Sequence, residues 1–205
     1  MRERPRKLTL LAATTVLALS ACSTTTSEPA AGSTVQLQAD YPSYDTRSLI
    51  KEATLIVEGT VLATEPTVLT PRFEGDSPEE NPLLGLSEEE KKRAIASDDG
   101  VAATAVTFRV DVLHRGVVKQ GQKIIVIQTG GVIDGVNYHV EGEAMLAAGE
   151  SYLLFATDSF DGAYAILGGS AGTYLSSRDG IFIAAAPEVA PSERFTTSEV
   201  ASLTE

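Results

Sequence analysis

Alternation of apolar and polar positions is the strongest pattern in the second half of the chain. In the clearest case, Ala103–Leu113, every second residue from Val106 to Val112 is large and apolar, and the residues between them are polar. A period of two indicates a β-strand with one face in a core and the other in water. The pattern predicts four core-facing side chains: Val106, Phe108, Val110 and Val112.

The same pattern predicts further strands on both sides of this one. Thr54–Ala63 alternates in the same way, and Gly59 in its interior indicates a bulge or a sharp bend. Lys123–Thr129 is apolar on both faces, which predicts a central strand. Four shorter segments complete the predicted strands: Ser151–Thr157, Ala163–Leu167, Gly172–Ser176 and Gly180–Ala184.

Asp-Gly pairs separate several of these strands. Asp161-Gly162 and Asp179-Gly180 lie between apolar runs, where Asp-Gly is a strong hairpin signal. Strands joined by tight turns form an antiparallel sheet, and the sequence contains no long amphipathic helix of the kind that a doubly wound fold needs. We therefore predict an all-β domain with minor α content over residues 45–186, as a small antiparallel barrel of about six to seven strands.

An acidic segment separates the first two long strands. Residues 64–100 contain four prolines and many carboxylates. Ser87 and Glu90 form a capping box for a short helix that reaches about Ala96. We interpret residues 70–100 as an insertion, either a mobile surface addition or a binding element whose leucines dock on the barrel mouth or on a partner: Leu83, Leu84 and Leu86.

The segments that flank the domain have a different composition. Residues 22–44 are rich in Ser, Thr, Pro and Gly and predict a flexible tether. Asp45–Ala53 then predicts a short helix capped by Asp45 or Thr46. Residues 187–205 predict a loose C-terminal tail with one helical turn at Ser198–Leu203.

The first 22 residues carry a separate signal. Met1–Lys7 has four cationic side chains against one anionic, and Leu8–Ala21 is uncharged and largely apolar. These are the features of a secretory signal, and the apolar run is too short to cross a hydrocarbon core of ~30 Å. We assign residues 1–21 to a signal peptide.

The end of this segment, Leu19-Ser20-Ala21-Cys22, resembles the bacterial lipobox. The resemblance implies cleavage between Ala21 and Cys22 and a diacylglyceryl group on the Cys22 thiol. Two acyl chains hold a protein on a bilayer far better than one does. We therefore expect a lipid-anchored protein on the extracytoplasmic face of the cell membrane. A lone cysteine in a plain signal peptide is the alternative.

Composition restricts the partners of the mature chain. The formal net charge is −12, and removal of the basic signal peptide makes the chain more acidic still. Such acidity argues against nucleic acid and against anionic membrane surfaces as partners. Cys22 is the only cysteine, so no disulfide within the chain is expected, and the absence of Trp excludes a Trp-based carbohydrate platform.

The order of several motifs adds a resemblance for the domain itself. Leu55–Val61, Phe108–Gly116, Ile124–Ile127 and Ala148–Phe155 follow one another as in uncharacterised exported bacterial domains with an OB-like barrel, similar in layout to netrin and tissue-inhibitor modules. The resemblance covers about residues 49–183 and implies a fold without an activity. The disulfide cysteines of the animal modules are absent. An acylated Cys22 also excludes the route by which tissue inhibitors bind a metalloprotease.

Candidate chemistry in the sequence is sparse. His139 and Glu141 would share a strand face as a weak metal pair, but spacing indicates no third ligand, and we favour a surface pair. Gly168–Gly172 precedes a strand and lacks a lysine, so we interpret it as a tight turn and not a phosphate cradle. No Gly-x-Ser-x-Gly elbow occurs, no Ca²⁺ loop pattern is present, and no cofactor is predicted.

Three functions remain open from the sequence. We favour a lipid-anchored, non-catalytic binding module of the cell envelope that engages a protein or a peptide. A structural envelope lipoprotein without a dedicated ligand is the first alternative. An envelope hydrolase with a site built from distant loops is the second, because a Ser-His-Asp arrangement does not require a local motif.

Overall fold

A computed structural model of the chain describes residues 32–70, 75–77, 81–96, 100–177 and 179–204. The predicted signal peptide, its cleavage site and Cys22 lie outside these residues. The helices are α1 Thr46–Glu52, α2 Glu88–Ala96 and α3 Thr197–Thr204. The strands are β1 Thr34–Leu37, β2 Leu55–Leu69, β3 Val101–Arg115, β4 Lys123–Thr129, β5 Gly131–Ile133, β6 Val136–Val140, β7 Ser151–Asp158, β8 Tyr164–Ile166, β9 Thr173–Ser176, β10 Ile181–Ala184 and β11 Arg194–Thr196.

The strands form two sheets, and the prediction of a mostly β fold with minor helix content is confirmed. The smaller sheet has the order β1-β6-β5, and the larger has the order β11-β10-β9-β7-β2-β3-β4-β8. β8 pairs with β4 in parallel and with β7 antiparallel. Each of the strands β2, β3, β4, β7 and β8 therefore pairs with two others of the same five. In the part of the chain that is described, no helix has both the length and the apolar character needed to cross a membrane.

Two apolar clusters lie on opposite faces of β2 and β7. Val57 and Leu154 belong to the first cluster, together with Phe108 of β3 and Val126 of β4. The second cluster contains the intervening residues of β2 and β7 and side chains from α1, β9, β10, β11 and α3: Leu49, Ile56, Leu153, Phe155, Tyr174, Phe182, Phe195 and Val200. β2 and β7 are therefore covered on both faces, as the core of a two-layer arrangement requires.

The bend predicted at Gly59 is present, and it changes which face β3 presents. The β2–β3 register shifts between Glu58 and Gly59. A Cβ atom on Gly59 would lie 2.0 Å from the backbone oxygen of Arg109, so only glycine permits this approach. Beyond the shift the alternation of β3 is offset by one residue. Val112, predicted to face the core, is 39% exposed, and Leu113 packs on the core instead.

The strand predicted over Lys123–Thr129 has the bounds of β4 and lies between β3 and β8. The prediction of a central strand is therefore confirmed. Ile124 and Val126 are buried in the first cluster, whereas Ile125 is 40% exposed. One face packs inward, and the other lacks a covering layer over Ile125.

The acidic insertion lies between Leu69, the last residue of β2, and Val101, the first residue of β3. β2 continues through Pro66 to Leu69 and pairs with β3 from Val101, so residues 64–69 belong to the sheet. The predicted capping box is confirmed, since the backbone N–H of Ser87 donates to Glu90 at 2.9 Å ahead of α2. Leu84 and Leu86 are exposed, and their docking stays a prediction.

Both flanking segments contribute a strand that the sequence did not predict, whereas the helical turn predicted at Ser198–Leu203 is present as α3. Residues 34–37, within the predicted tether, form β1 and pair in parallel with β6. Residues of the predicted tail form β11 and α3, and Phe195 and Val200 are buried in the second cluster. The helix predicted after Asp45 is confirmed as α1, with Asp45 as its N-cap and with Arg115 donating to the backbone oxygens of Ile50 and Ala53 at its end.

The Asp-Gly turns occupy the predicted connections. Asp161 and Asp179 have φ of 56° and 72°, and each is followed by a glycine that also has positive φ. Asp-Gly tolerates this left-handed conformation better than most pairs do. The two turns join β7 to β8 and β9 to β10, and both strand pairs are antiparallel.

Candidate functional site

A cavity of about 340 Å³ lies where four segments of the chain meet. The first segment runs from β1 to α1, the second follows β6, the third is the Gly-rich turn between β8 and β9, and the fourth follows β10. Aromatic, carboxylate and small residues alternate around its wall: Tyr41, Tyr44, Glu141, Glu143, Gly168, Ser170 and Glu188. None of these residues belongs to a strand, so the sheets position the site and the connections supply its side chains.

The Gly-rich turn forms one wall of the cavity through Gly168, Ser170 and Ala171. Gly168 and Gly169 have φ of 60° and 57°, which is the left-handed region that favours glycine. A Cβ atom on Gly169 would lie 1.9 Å from Oε1 of Glu143, and one on Gly168 would lie 2.9 Å from the ring of Tyr44. The glycines therefore leave the space that the Glu143 carboxylate and the Tyr44 ring occupy.

Glu143 is held at the base of this wall by polar contacts to its neighbours. Nε2 of Gln128 donates to Oε2 of Glu143 at 3.3 Å and to the backbone oxygen of Ala144 at 2.8 Å. The backbone N–H of Ala144 donates to Oγ of Ser170 at 2.7 Å. Gln128 and Ser170 are both buried. The segment after β6 is therefore fixed against β4 and against the Gly-rich turn.

The second carboxylate oxygen of Glu143 is buried and receives no well-formed hydrogen bond from the described residues. Burial raises the pKa of Glu143, and hydrogen bonds from Gln128, Tyr41 and Ser170 to its carboxylate oppose this shift only in part. Burial also raises the pKa of Tyr41, and the negative charge of Glu143 adds to that effect. No ion pair to Glu143 is formed within the described ranges. The described residues therefore stabilise the charge of this carboxylate with neutral hydrogen-bond donors and not with a cation.

A second cavity, of about 180 Å³, lies on the other side of Tyr41 and Glu143. Its wall is mainly apolar and includes Leu69, the last residue of β2, and Phe160 from the turn between β7 and β8. Tyr41 and Glu143 line both cavities. The two spaces are thus neighbours that share one polar wall, next to the point where the acidic insertion leaves the sheet.

The weak metal pair from the sequence falls partly at this site. His139 is exposed on β6, and Glu141 follows the end of that strand and lines the larger cavity. Oε2 of Glu141 accepts a hydrogen bond of 3.1 Å from Gln36 of β1. Among the residues that the structure describes, no three His, Cys, Asp or Glu side chains gather as metal ligands would.

The other histidine forms a separate polar contact. Nε2 of His114 lies 2.7 Å from Oε1 of Glu58, and the His114 side chain is only 5% exposed. The pair bridges β3 and β2 outside the cavity walls. No sequence pattern predicted this contact, because the two residues lie 56 positions apart and only the β2–β3 register brings them together.

Sequence patterns gave little indication of the cavity. Tyr41 and Tyr44 lie in the segment assigned to a tether, and Glu143 lies in a segment without a predicted element. The available signal was the glycine run at residues 168–172, which predicted a turn but no partner for it. No known protein family matches the chain. No curated protein matches it in sequence.

Proposed function

We propose that this chain is a lipid-anchored, non-catalytic binding module on the extracytoplasmic face of a cell membrane, and that it engages a protein or a peptide. The observation that carries the binding function is the cavity between Tyr41, Tyr44 and the turn at residues 168–170. A concave site with aromatic walls and a few convergent polar groups is the usual form of a binding site.

The proposed scaffold is an OB-like closed barrel made of β2, β3, β4, β8 and β7. Its support is the pairing scheme, in which β8 joins β4 in parallel and β7 antiparallel, together with the bend at Gly59 that a small barrel needs. The motif order in the sequence supports the same scaffold. In this arrangement the β7–β8 turn and the exit of β2 lie beside the smaller cavity.

The proposed anchor rests on the signal-like first segment and the lipobox resemblance at Cys22. Gly32, the first described residue, donates its backbone N–H to the backbone oxygen of Gly135 at 2.6 Å. Gly32 lies ten positions after Cys22. At ~3.6 Å per extended residue the tether reaches at most about 36 Å. The module would therefore work close to the bilayer surface.

Site-specific photo-crosslinking in the producing cells tests the binding function. A photoreactive residue at Ser43, which is exposed and lines the cavity, should capture a defined partner. The same probe at Val117, which is 92% exposed and outside the cavity, is the matched control. Capture at neither position, or of the same set of proteins at both, would favour the structural-lipoprotein alternative.

Two further changes test the anchor and the insertion. Cys22→Ala should move the protein from the membrane fraction to the soluble fraction, and mass spectrometry should find acyl chains on the mature amino terminus. Retention of Cys22→Ala on membranes would contradict the anchor. Replacing residues 70–100 by a short turn should abolish capture at Ser43 if the insertion binds, and should leave it intact if the insertion is a surface addition.

A further inference from the structure

The electrostatic character of the cavity indicates the chemistry of its partner. We infer that the partner inserts one cationic side chain, lysine or arginine, into the cavity beside Tyr41 and Tyr44. The carboxylates of Glu141, Glu143 and Glu188 balance its charge. This inference rests on the proposed binding function and specifies the group that is recognised.

The first support is the distribution of charge around the cavity. Glu141, Glu143 and Glu188 line it, and no described lysine, arginine or histidine does. Glu141 and Glu188 are exposed and stand at the rim. A concave surface lined by charge of one sign raises the local concentration of oppositely charged groups, and the net charge of −12 adds in the same direction.

The second support is that no described cation pairs with the Glu143 carboxylate. Oε1 is buried, receives no well-formed hydrogen bond from the described residues, and lies against the backbone of Gly169. A buried carboxylate without a counter-charge is costly, and the cost falls when a cation arrives in the same poorly solvated space. Glu143 is partly exposed as a residue, so a ligand in the cavity comes near its carboxylate even though Oε1 itself is covered. A positive charge in the cavity would therefore lower the free energy of the Glu143 carboxylate.

The third support is the aromatic wall. Tyr41 and Tyr44 line the cavity, and the missing side chains of Gly168 and Gly169 leave room for the two rings. Tyrosine rings attract ammonium and guanidinium groups within about 6 Å of the ring centre. The long apolar stem of lysine or arginine packs on such rings while its charged end reaches carboxylates.

Titration with three capped tripeptides tests the inference without altering the protein. Lysine, arginine or the uncharged norleucine stands between two glycines in these peptides. The probe is the mature protein in a neutral detergent, observed through its backbone amide NMR signals at about 0.15 M salt. The lysine or the arginine peptide should shift the amides of Gly168, Gly169 and Ser170 in a saturable way. The norleucine peptide should bind at least about tenfold more weakly.

Two sets of matched variants separate local recognition from general attraction. Glu143→Gln, and the double change of Glu141 and Glu188 to Gln, should each weaken binding of the cationic peptide about tenfold. The double change of Glu65 and Glu150 to Gln removes the same charge outside this cavity and should alter binding less than about twofold, because salt screens distant charges. Equal weakening by both double variants would overturn the inference.

The outcomes also separate this inference from the proposed function. Equal binding of norleucine and lysine peptides, or no shift at Gly168–Ser170 with any peptide, overturns the cationic group. If capture at Ser43 in cells persists in that case, the binding function stands with a partner of other chemistry. Absence of capture together with absence of peptide binding removes both proposals.

Discussion

Phe195 connects the C-terminal segment to the core, and its truncation gives a quantitative test of the fold. Its ring centre lies 4.8 Å from that of Tyr174 in an edge-on geometry and 5.4 Å from that of Phe155 in a tilted one. The Phe195 side chain is 4% exposed. Phe195→Ala therefore removes a buried ring from the second apolar cluster and leaves a cavity between β7, β9 and β11.

The expected cost of Phe195→Ala is about 3–5 kcal/mol in the free energy of unfolding. Domains are stable by only about 5–15 kcal/mol, so this is a large fraction of the total. At about 2–4 °C per kcal/mol for a chain of this size, the melting temperature should fall by roughly 6–20 °C. Thermal unfolding followed by circular dichroism, with urea denaturation as a second measurement, gives both quantities.

Leu203→Ala is the matched control, because Leu203 lies in α3 of the same segment but is 44% exposed. Its expected cost is below about 1 kcal/mol. A free energy of unfolding for Phe195→Ala that lies within about 1 kcal/mol of the parent value would refute the packing of Phe195 in the second cluster. The C-terminal residues would then be the loose tail that the sequence predicted.

Three further substitutions test the site, the bend and the end of α1. Burial raises the pKa of Glu143 above its ordinary value of 4.5, so the folded state holds the proton more tightly and loses stability as pH rises through the folded pKa. Glu143→Gln should lack this loss. Its free energy of unfolding in urea melts should therefore rise relative to that of the parent between pH 4.5 and neutral pH; a constant difference would contradict the burial. Gly59→Ala should cost at least about 2 kcal/mol, because its Cβ would collide with the backbone of Arg109; parental stability would exclude the bend. Arg115→Met should cost about 1–3 kcal/mol, because carbonyls at the end of α1 lose a charged donor; an unchanged urea midpoint would show that the bonds contribute nothing.

The positions of the main strands followed from local pattern. The bounds of Lys123–Thr129 were predicted to the residue, and the central residues of β2, β3 and β7 were correctly predicted as strands. The reason is that a period of two is a direct consequence of strand geometry. Asp45 and Ser87 marked the two helix starts for a similarly local reason, since each satisfies backbone donors within one turn.

Val112 shows where local pattern failed. Its alternation placed it in the core, but the register shift at Gly59 moves the following residues of β3 by one position relative to β2. A bulge depends on the partner strand, so the period within one strand does not report it. The exposure of Ile125 has a related cause, because whether the outer face of β4 is covered depends on distant segments.

The amino-acid sequence by itself determined the class of the fold, the strands that alternate, the turns that need Asp-Gly and the acidic character of the chain. Each of these depends on neighbours within a few residues. Tertiary structure alone decided that β1 pairs with β6, that Phe195 joins the core, and that Tyr41, Glu143 and Gly169 meet at one wall. These contacts join residues up to more than a hundred positions apart, and their free energy arises from burial and register, which exist only after the chain has folded.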